Sequence, residues 1–190
     1  AGGRWLGVDV TDPAAPRQVG ALDTVQTTVE VSVVGSTAYV ATRAGLVVVD
    51  VTDPTAPRQL GAHYTSASAN GISVSGTTAY VAIGLFGLSV IDVSTPAAPR
   101  QLAEFDTSGD AKDAFVVGSV AYVADGDAGL RVIDVSVPAT PHELGALDFA
   151  EDVLDVYVSG TTAYVLAEGG WLGNEGGVRA IDVTDPSAPR

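Results

Sequence analysis

The chain contains no cysteine, no methionine, two tryptophans and a single lysine, Lys112. Without cysteine there are no disulfides, no thiol nucleophile and no cysteine-based zinc site. Without methionine, Ala1 is not a translation start, so the chain reads as a processed product or an excised segment. Long apolar runs are missing too. The longest nearly apolar window, Ala79 to Ile91, is too short for a spanning helix and is broken by two glycines and a serine. Positive charge is scarce, with 9 basic residues against 23 acidic ones and a net charge of −14. Such a surface repels phosphate backbones and anionic lipid, which argues against nucleic-acid and membrane partners. It is compatible with a basic partner, a cation or salt-rich surroundings, and equally with plain solubility.

What is present is repetition. "VDVTDPAAPRQVGALD" begins at Val8, and four further copies follow: "VDVTDPTAPRQLGAHY", "IDVSTPAAPRQLAEFD", "IDVSVPATPHELGALD" and "IDVTDPSAPR". The aspartate of each copy falls at Asp9, Asp50, Asp92, Asp134 and Asp182, spaced by 41, 42, 42 and 48 residues. A second marker, "AYV", starts at Ala38, Ala79, Ala121 and Ala163. Runs rich in Val and Ile between frequent Gly and Pro favour strands. A period near 42 in an all-β chain predicts four-stranded propeller blades. The repeat units fall at about 1–27 (partial), 28–68, 69–110, 111–152 and 153–190 (partial), within a single domain over 1–190.

Each unit reads as a short strand, a tight turn at Gly plus a small polar residue, a second strand, a third ending in the recurrent Asp, and a wetter fourth. The turn pairs are Gly35-Ser36, Gly76-Thr77, Gly118-Ser119 and Gly160-Thr161, which suit type II′ hairpins. "TDPxAPR" joins strands three and four, because proline ends pairing and Asp before Pro favours an Asx turn. Asp12, Asp53 and Asp185 of that motif become Thr95 and Val137 in the other copies, so the motif is scaffold rather than a ligand set. The strand aspartate recurs in every copy and is expected to close a turn by hydrogen bonding.

The pentapeptides "LVVVD" (46–50), "LSVID" (88–92) and "LRVID" (130–134) resemble the LVIVD repeat, with "WLGVD" (5–9) and "VRAID" (178–182) as degenerate copies. That resemblance implies a β-propeller from bacterial or archaeal secreted or cell-surface proteins. It implies no reaction and no catalytic residues. The strand count is seventeen: two from a first partial unit, twelve from three full blades, three from the last. It suggests a segment of a longer propeller, or an open arc whose exposed edges invite self-association.

Loops from strand four to one and from strand two to three share one face of a propeller, and variable loops on a rigid frame are where function concentrates. In the first two blades these loops are plain. In the third and fourth they bring Asp110, Asp113, Asp125, Asp127, Glu151, Asp152, Glu168 and Glu175 to one half of one face, with Asp155 just inside the channel. Asp125, Asp127, Glu151 and Asp152 are the candidate calcium ligands, since hard cations need several oxygens. The competing reading is a solvated acidic rim partly neutralised by Lys112. Trp171, on a glycine-flanked insertion, suits an apolar contact to a protein or a sugar. The two histidines, His63 and His142, stand far apart, and no nucleophile elbow, zinc-helix or phosphate-loop motif is present. The expectation is a non-catalytic extracellular binding or adhesion scaffold with no obligatory cofactor. The alternatives are a hydrolase or lyase using rim carboxylates and a purely structural spacer.

Overall fold

The computed structural model describes residues 3–169 and 176–190. It is all-β, with no helix among the described residues. A two-stranded half-blade, β1 (Gly3–Asp9) and β2 (Arg17–Thr24), comes first. Blade 1 holds β3 (Thr28–Val34), β4 (Thr37–Thr42), β5 (Gly45–Asp50) and β6 (Arg58–Tyr64). Blade 2 holds β7 (Gly71–Ser75), β8 (Thr78–Ala82), β9 (Leu88–Asp92) and β10 (Arg100–Phe105). Blade 3 holds β11 (Asp113–Val117), β12 (Val120–Ala124), β13 (Leu130–Asp134) and β14 (His142–Leu147). Blade 4 has three strands, β15 (Asp152–Ser159), β16 (Thr162–Glu168) and β17 (Gly177–Asp182). Among the described residues the strands number seventeen, as expected from the repeat.

All pairing within blades is antiparallel. The glycines of the first hairpins, Gly35, Gly76, Gly118 and Gly160, sit at φ near +60°. The residue after each has negative φ, since Ser108 is the one non-glycine at positive φ among the described residues. That combination is the II′ turn, whose twist matches the flanking strands. Second and third strands are buried on both faces in blades 1 to 3, while fourth strands are wet. Blade-to-blade packing of Val, Ile, Leu, Ala and Tyr makes the core.

The recurrent sentence now has a physical meaning. In each copy the strand-three Asp accepts the backbone N–H two residues on: from Thr11, Thr52, Ser94, Ser136 and Thr184 at 2.7–2.9 Å. Its other oxygen takes the Arg eight residues on, as in Asp50 with Arg58 at 2.8 Å, and likewise at Asp9, Asp92 and Asp182. In blade 3 His142 replaces that Arg, 3.9 Å from Asp134. Hydrogen bonds from Thr52, then the charge-bearing Arg58, hold the Asp50 carboxyl down to about 2. The TDP turn survives without its Asp. Thr95 and Val137 close theirs with backbone bonds alone, at 2.9 and 2.8 Å.

The turn also docks one blade on the next. A Cβ on Gly20 would lie 2.0 Å from the Pro54 carbonyl, on Gly61 2.5 Å from that of Pro96, and on Gly145 2.8 Å from that of Pro186. Glycine in strand four thus admits the following blade's turn. The half-blade meets blade 1 in the same way as blade 1 meets blade 2.

Candidate functional site

The loop face is tied together by backbone. Gly84, in the β8–β9 loop, exchanges two hydrogen bonds with Ala111 ahead of β11, at 3.1 and 3.0 Å. Gly126, one blade on, does the same with Val153 at 3.1 and 2.9 Å. Both glycines sit in loops that link blade n to blade n+1, so this face is held rigidly over blades 2 to 4.

The acids expected on one rim are divided by this framework into three environments. Asp125 has no exposed surface. It accepts from the Thr107 hydroxyl at 2.5 Å, and Arg131 Nε lies 3.8 Å from its other oxygen. Burial pushes its carboxyl up to about 6 against the pull of Thr107 and Arg131. Arg131 also donates to the exposed Asp148 at 3.0 Å. Glu151 is likewise buried and receives Arg179 at 2.5 Å. Both acids are thus buried and each is already paired with an arginine, Asp125 in the interior and Glu151 beneath the half-exposed Arg179.

Asp110, Asp127 and Asp152 behave differently. With Leu85, Lys112 and Gly126 they line a surface pocket of about 300 Å³. Lys112 donates to Asp110 at 2.6 Å, leaving Asp127 and Asp152 exposed. The four residues expected to share calcium are therefore split, two buried against arginines and two at the surface. Among the described residues no three carboxylate or histidine side chains converge as a metal site would require.

Asp113 faces the channel instead of the rim. It lines a cavity of about 260 Å³ between the first strands of all four blades, together with Glu30 and Asp155. Its Oδ2 accepts the Val156 N–H at 3.2 Å, and Glu30 Oε2 accepts the Ile72 N–H at 2.7 Å. A third link runs from the Val116 N–H to the Ser73 hydroxyl at 3.1 Å. Side chains on one innermost strand thus satisfy backbone donors on the next. Burial, then the charge of Glu30, pushes the Asp113 carboxyl up to about 7, and burial raises Glu30 as well. Glu168 lies exposed at the end of β16. Trp171 and Glu175 lie outside the described residues.

Sequence reasoning passed over Leu85 and Phe86, in a loop that looked plain. Both project from the loop face, Leu85 with 74% of its surface exposed. The available signal was contrast: the matching loop residues of blades 1 and 3 are Arg43-Ala44 and Asp127-Ala128. It also missed Arg131 and Arg179, which stand at the same repeat position where blades 1 and 2 have Val47 and Ser89. Arg131, on a buried strand, requires a counter-charge and finds it in Asp125, while the half-exposed Arg179 pairs with the buried Glu151.

No helix among the described residues is long and apolar enough to cross a membrane. No curated protein matches the chain in sequence. Among solved structures it is similar to the computationally designed Ika8 protein, at 11% identity and a TM-score of 0.71, covering 90% of this chain and 51% of that one. The chain thus spans about half the length of Ika8. It is also similar to the computationally designed Ika4 protein, at 10% identity and a TM-score of 0.68, covering 84% of this chain and 92% of that one. These likenesses establish the propeller fold. The LVIVD repeat matches three consecutive segments, 27–65, 66–107 and 108–148, which coincide with blades 1 to 3, and the chain belongs to the LVIVD repeat family.

Proposed function

We propose that the chain is a non-catalytic binding scaffold, working outside the cell, whose loop face over blades 2 to 4 takes a basic, partly apolar segment of a partner protein. The observation that carries this reading is the placement of exposed Leu85 and Phe86 beside a pocket bearing Asp127 and Asp152, on loops pinned by the Gly84 and Gly126 bridges. An apolar contact flanked by free carboxylates matches a Lys- or Arg-containing segment with one large apolar side chain. The rigid backbone lowers the ordering cost of binding. The net charge of −14 steers such a partner toward the protein. The extracellular setting rests on the family resemblance alone.

A hydrolase or lyase would draw on Asp113, whose raised carboxyl beside Glu30 has the form of an acid pair. Against it, each of the two carboxylates is already spent on a backbone donor of the next blade. The test is a titration of a Lys- and Leu-containing peptide, with a neutral oligosaccharide alongside, read by fluorescence anisotropy at two salt concentrations. The peptide is expected to bind, less tightly in high salt, and to lose about tenfold affinity with Leu85→Ser or with Asp127→Asn/Asp152→Asn. Binding of the oligosaccharide alone, or peptide binding indifferent to all three substitutions, would overturn the reading. A calcium-dependent rise in melting temperature that Asp127→Asn removes would reassign the pocket to a cation.

A further inference from the structure

Blades 3 and 4 each place an arginine head among acids near the loop face. Arg131 leaves β13 beside Ala146 on β14, and its guanidinium lies against Asp125 and Asp148. Arg179 reaches Glu151 in the β14–β15 loop. The repeat maps these positions onto blade 1. Val47 stands where both arginines do, and Thr42, Tyr64 and Gln26 stand where Asp125, Asp148 and Glu151 do. Val47 pairs with Ala62 as Arg131 pairs with Ala146. Blade 1 therefore exchanges the arginine and all three of its acids for uncharged residues. In blade 2 the Thr42 position holds Ile83, fully buried in the core. In blade 1 the notch is open. It is a cavity of about 120 Å³ lined by Gln26, Thr42, Val47, Ala62 and Tyr64, with no Asp, Glu, Lys or Arg in its walls. Those walls come from the β2–β3 loop and blade 1, just as the blade 3 notch is built from Thr107 of the β10–β11 loop and blade 3 itself. The rim is pinned, since the Thr24 hydroxyl donates to the Gln26 carbonyl at 2.7 Å and the Thr42 hydroxyl to that of Gly45 at 3.0 Å.

We propose that this notch binds a neutral, planar carboxamide carried on a short apolar stem, the uncharged counterpart of the guanidinium that blades 3 and 4 supply from within. The twin notches assign the parts of the ligand. Its stem lies along Val47 and Ala62, where Arg131 passes Ala146. Its head faces Gln26, Thr42 and Tyr64, where the acids meet the guanidinium. A carboxamide keeps the flat N–H edge of a guanidinium without the charge, and Gln26 offers it both a donor and an acceptor. A cation in the same place would lose water with no counter-charge to replace it. The cavity is well under the ~300 Å³ of a pocket for a drug-sized ligand, so it takes one small group. Its pinned rim lowers the ordering cost. The site shares no residue with the Asp127 pocket and stands or falls without it.

Amide chemical-shift titration by NMR on the intact chain tests this, with benzamide, N-acetylglutamine methylamide, benzamidinium and benzoate as probes. The two carboxamides are expected to shift the amide signals of Gln26, Ala44 and Tyr64, equally at low and high salt because neither they nor the walls are charged. At these residues the two charged probes should bind about tenfold more weakly or worse. Stronger binding of benzamide would name a free aryl amide as the source of the group, and stronger binding of the glutamine derivative a partner's side chain. Thr42→Asp/Val47→Arg writes the blade 3 pair into blade 1, where Thr24 already stands in the place of Thr107. It should fill the notch and abolish binding of both carboxamides. Gln26→Glu, at an exposed residue, restores the blade 4 acid and decides the matter even where the double substitution unsettles the fold. It should reverse the order, so that benzamidinium binds about tenfold more tightly than benzamide. No shift at these residues with either carboxamide would overturn the proposal. So would a preference of the unaltered protein for benzamidinium, carboxamide binding that survives the double substitution, or an order that Gln26→Glu leaves unchanged.

Discussion

Leu88 in blade 2 and Val178 in blade 4 hold the same place in the repeat, the first residue of the LVIVD pentapeptide. Leu88 has no exposed surface, whereas Val178 is 71% exposed. The difference is not one of residue character, since both are aliphatic strand formers. It comes from neighbours. Blade 2 has β10 along one edge of β9 and blade 3 on its front, while among the described residues β17 has no fourth strand beside it and Val178 on its front face is uncovered. A propeller blade is therefore stable through the blade that follows it, as expected of a repeat architecture whose energy lies in neighbour interfaces. Leu88→Ala should cost about 3–5 kcal/mol by opening a cavity in a filled interface. Val178→Ala should stay within about 0.5 kcal/mol. Urea unfolding of both variants at low protein concentration checks the contrast, and a Val178 variant as damaging as Leu88→Ala would mean that the end face is covered in solution.

A second contrast lies inside the complete blades. At matching positions blade 2 places Ile83 and Ser89, and blade 3 places Asp125 and Arg131. The blade 2 version carries no charge, and its one buried polar side-chain atom, the Ser89 hydroxyl, has no partner among the described residues. The charged version holds a buried carboxylate whose Oδ2 and whose arginine Nε lack hydrogen-bond partners among the described residues. Charge pairing offsets only part of that desolvation. Asp125→Ala should cost about 2–3 kcal/mol by stranding Arg131, at the lower end for a broken buried pair because Asp148 still accepts from it. The double change Asp125→Ile/Arg131→Ser, which writes blade 2 into blade 3, should be neutral or stabilising. Thermal melts of the two variants separate the outcomes. A double variant as unstable as the single one would show that the pair supports blade 3 in a way its twin does not require.

These contrasts also mark what the sequence could disclose. Strand number, the II′ hairpins and the role of the recurrent Asp were all readable, because each depends on chemistry within a few residues: glycine at φ near +60°, an Asx bond two residues on, an arginine eight residues on. The division of the rim acids was not readable by counting acids. Asp125 and Glu151 differ from Asp127 and Asp152 through Arg131 and Arg179, which reach them only when neighbouring strands and loops are folded together. Asp113 departs furthest. Alignment puts it among the loop acids, but strand β11 turns it to the channel, where Glu30 from two blades earlier sits beside it. The exposed Leu85 and Phe86 were hidden by the opposite error, since an apolar pair between glycines looked inert.

The channel and the outer turns also differ in how they answer to pH, and the signs oppose. The strand-three aspartates have carboxyls held below their ordinary value by turn hydrogen bonds and, at all but Asp134, by arginine, so their contribution is present above the ordinary carboxylate range and is lost as pH falls through the lowered values, about 2 for Asp50. Asp113 runs the other way. Its carboxyl is raised to about 7 by burial and by Glu30, so between about pH 4 and 7 the unfolded chain releases a proton that the folded chain keeps. Stability from this group therefore falls as pH rises through that window and levels off above it. Asp113→Asn removes the penalty and retains an oxygen to accept the Val156 N–H. It should gain about 1–2 kcal/mol at pH 8, which is a rise in melting temperature of about 2–8 °C for a chain of this size, and little at pH 4. Melts of both proteins at pH 4, 6 and 8 check it. Equal gains at all three values would mean that packing, and not the proton shared between the channel carboxyls, sets the stability of this ring of first strands.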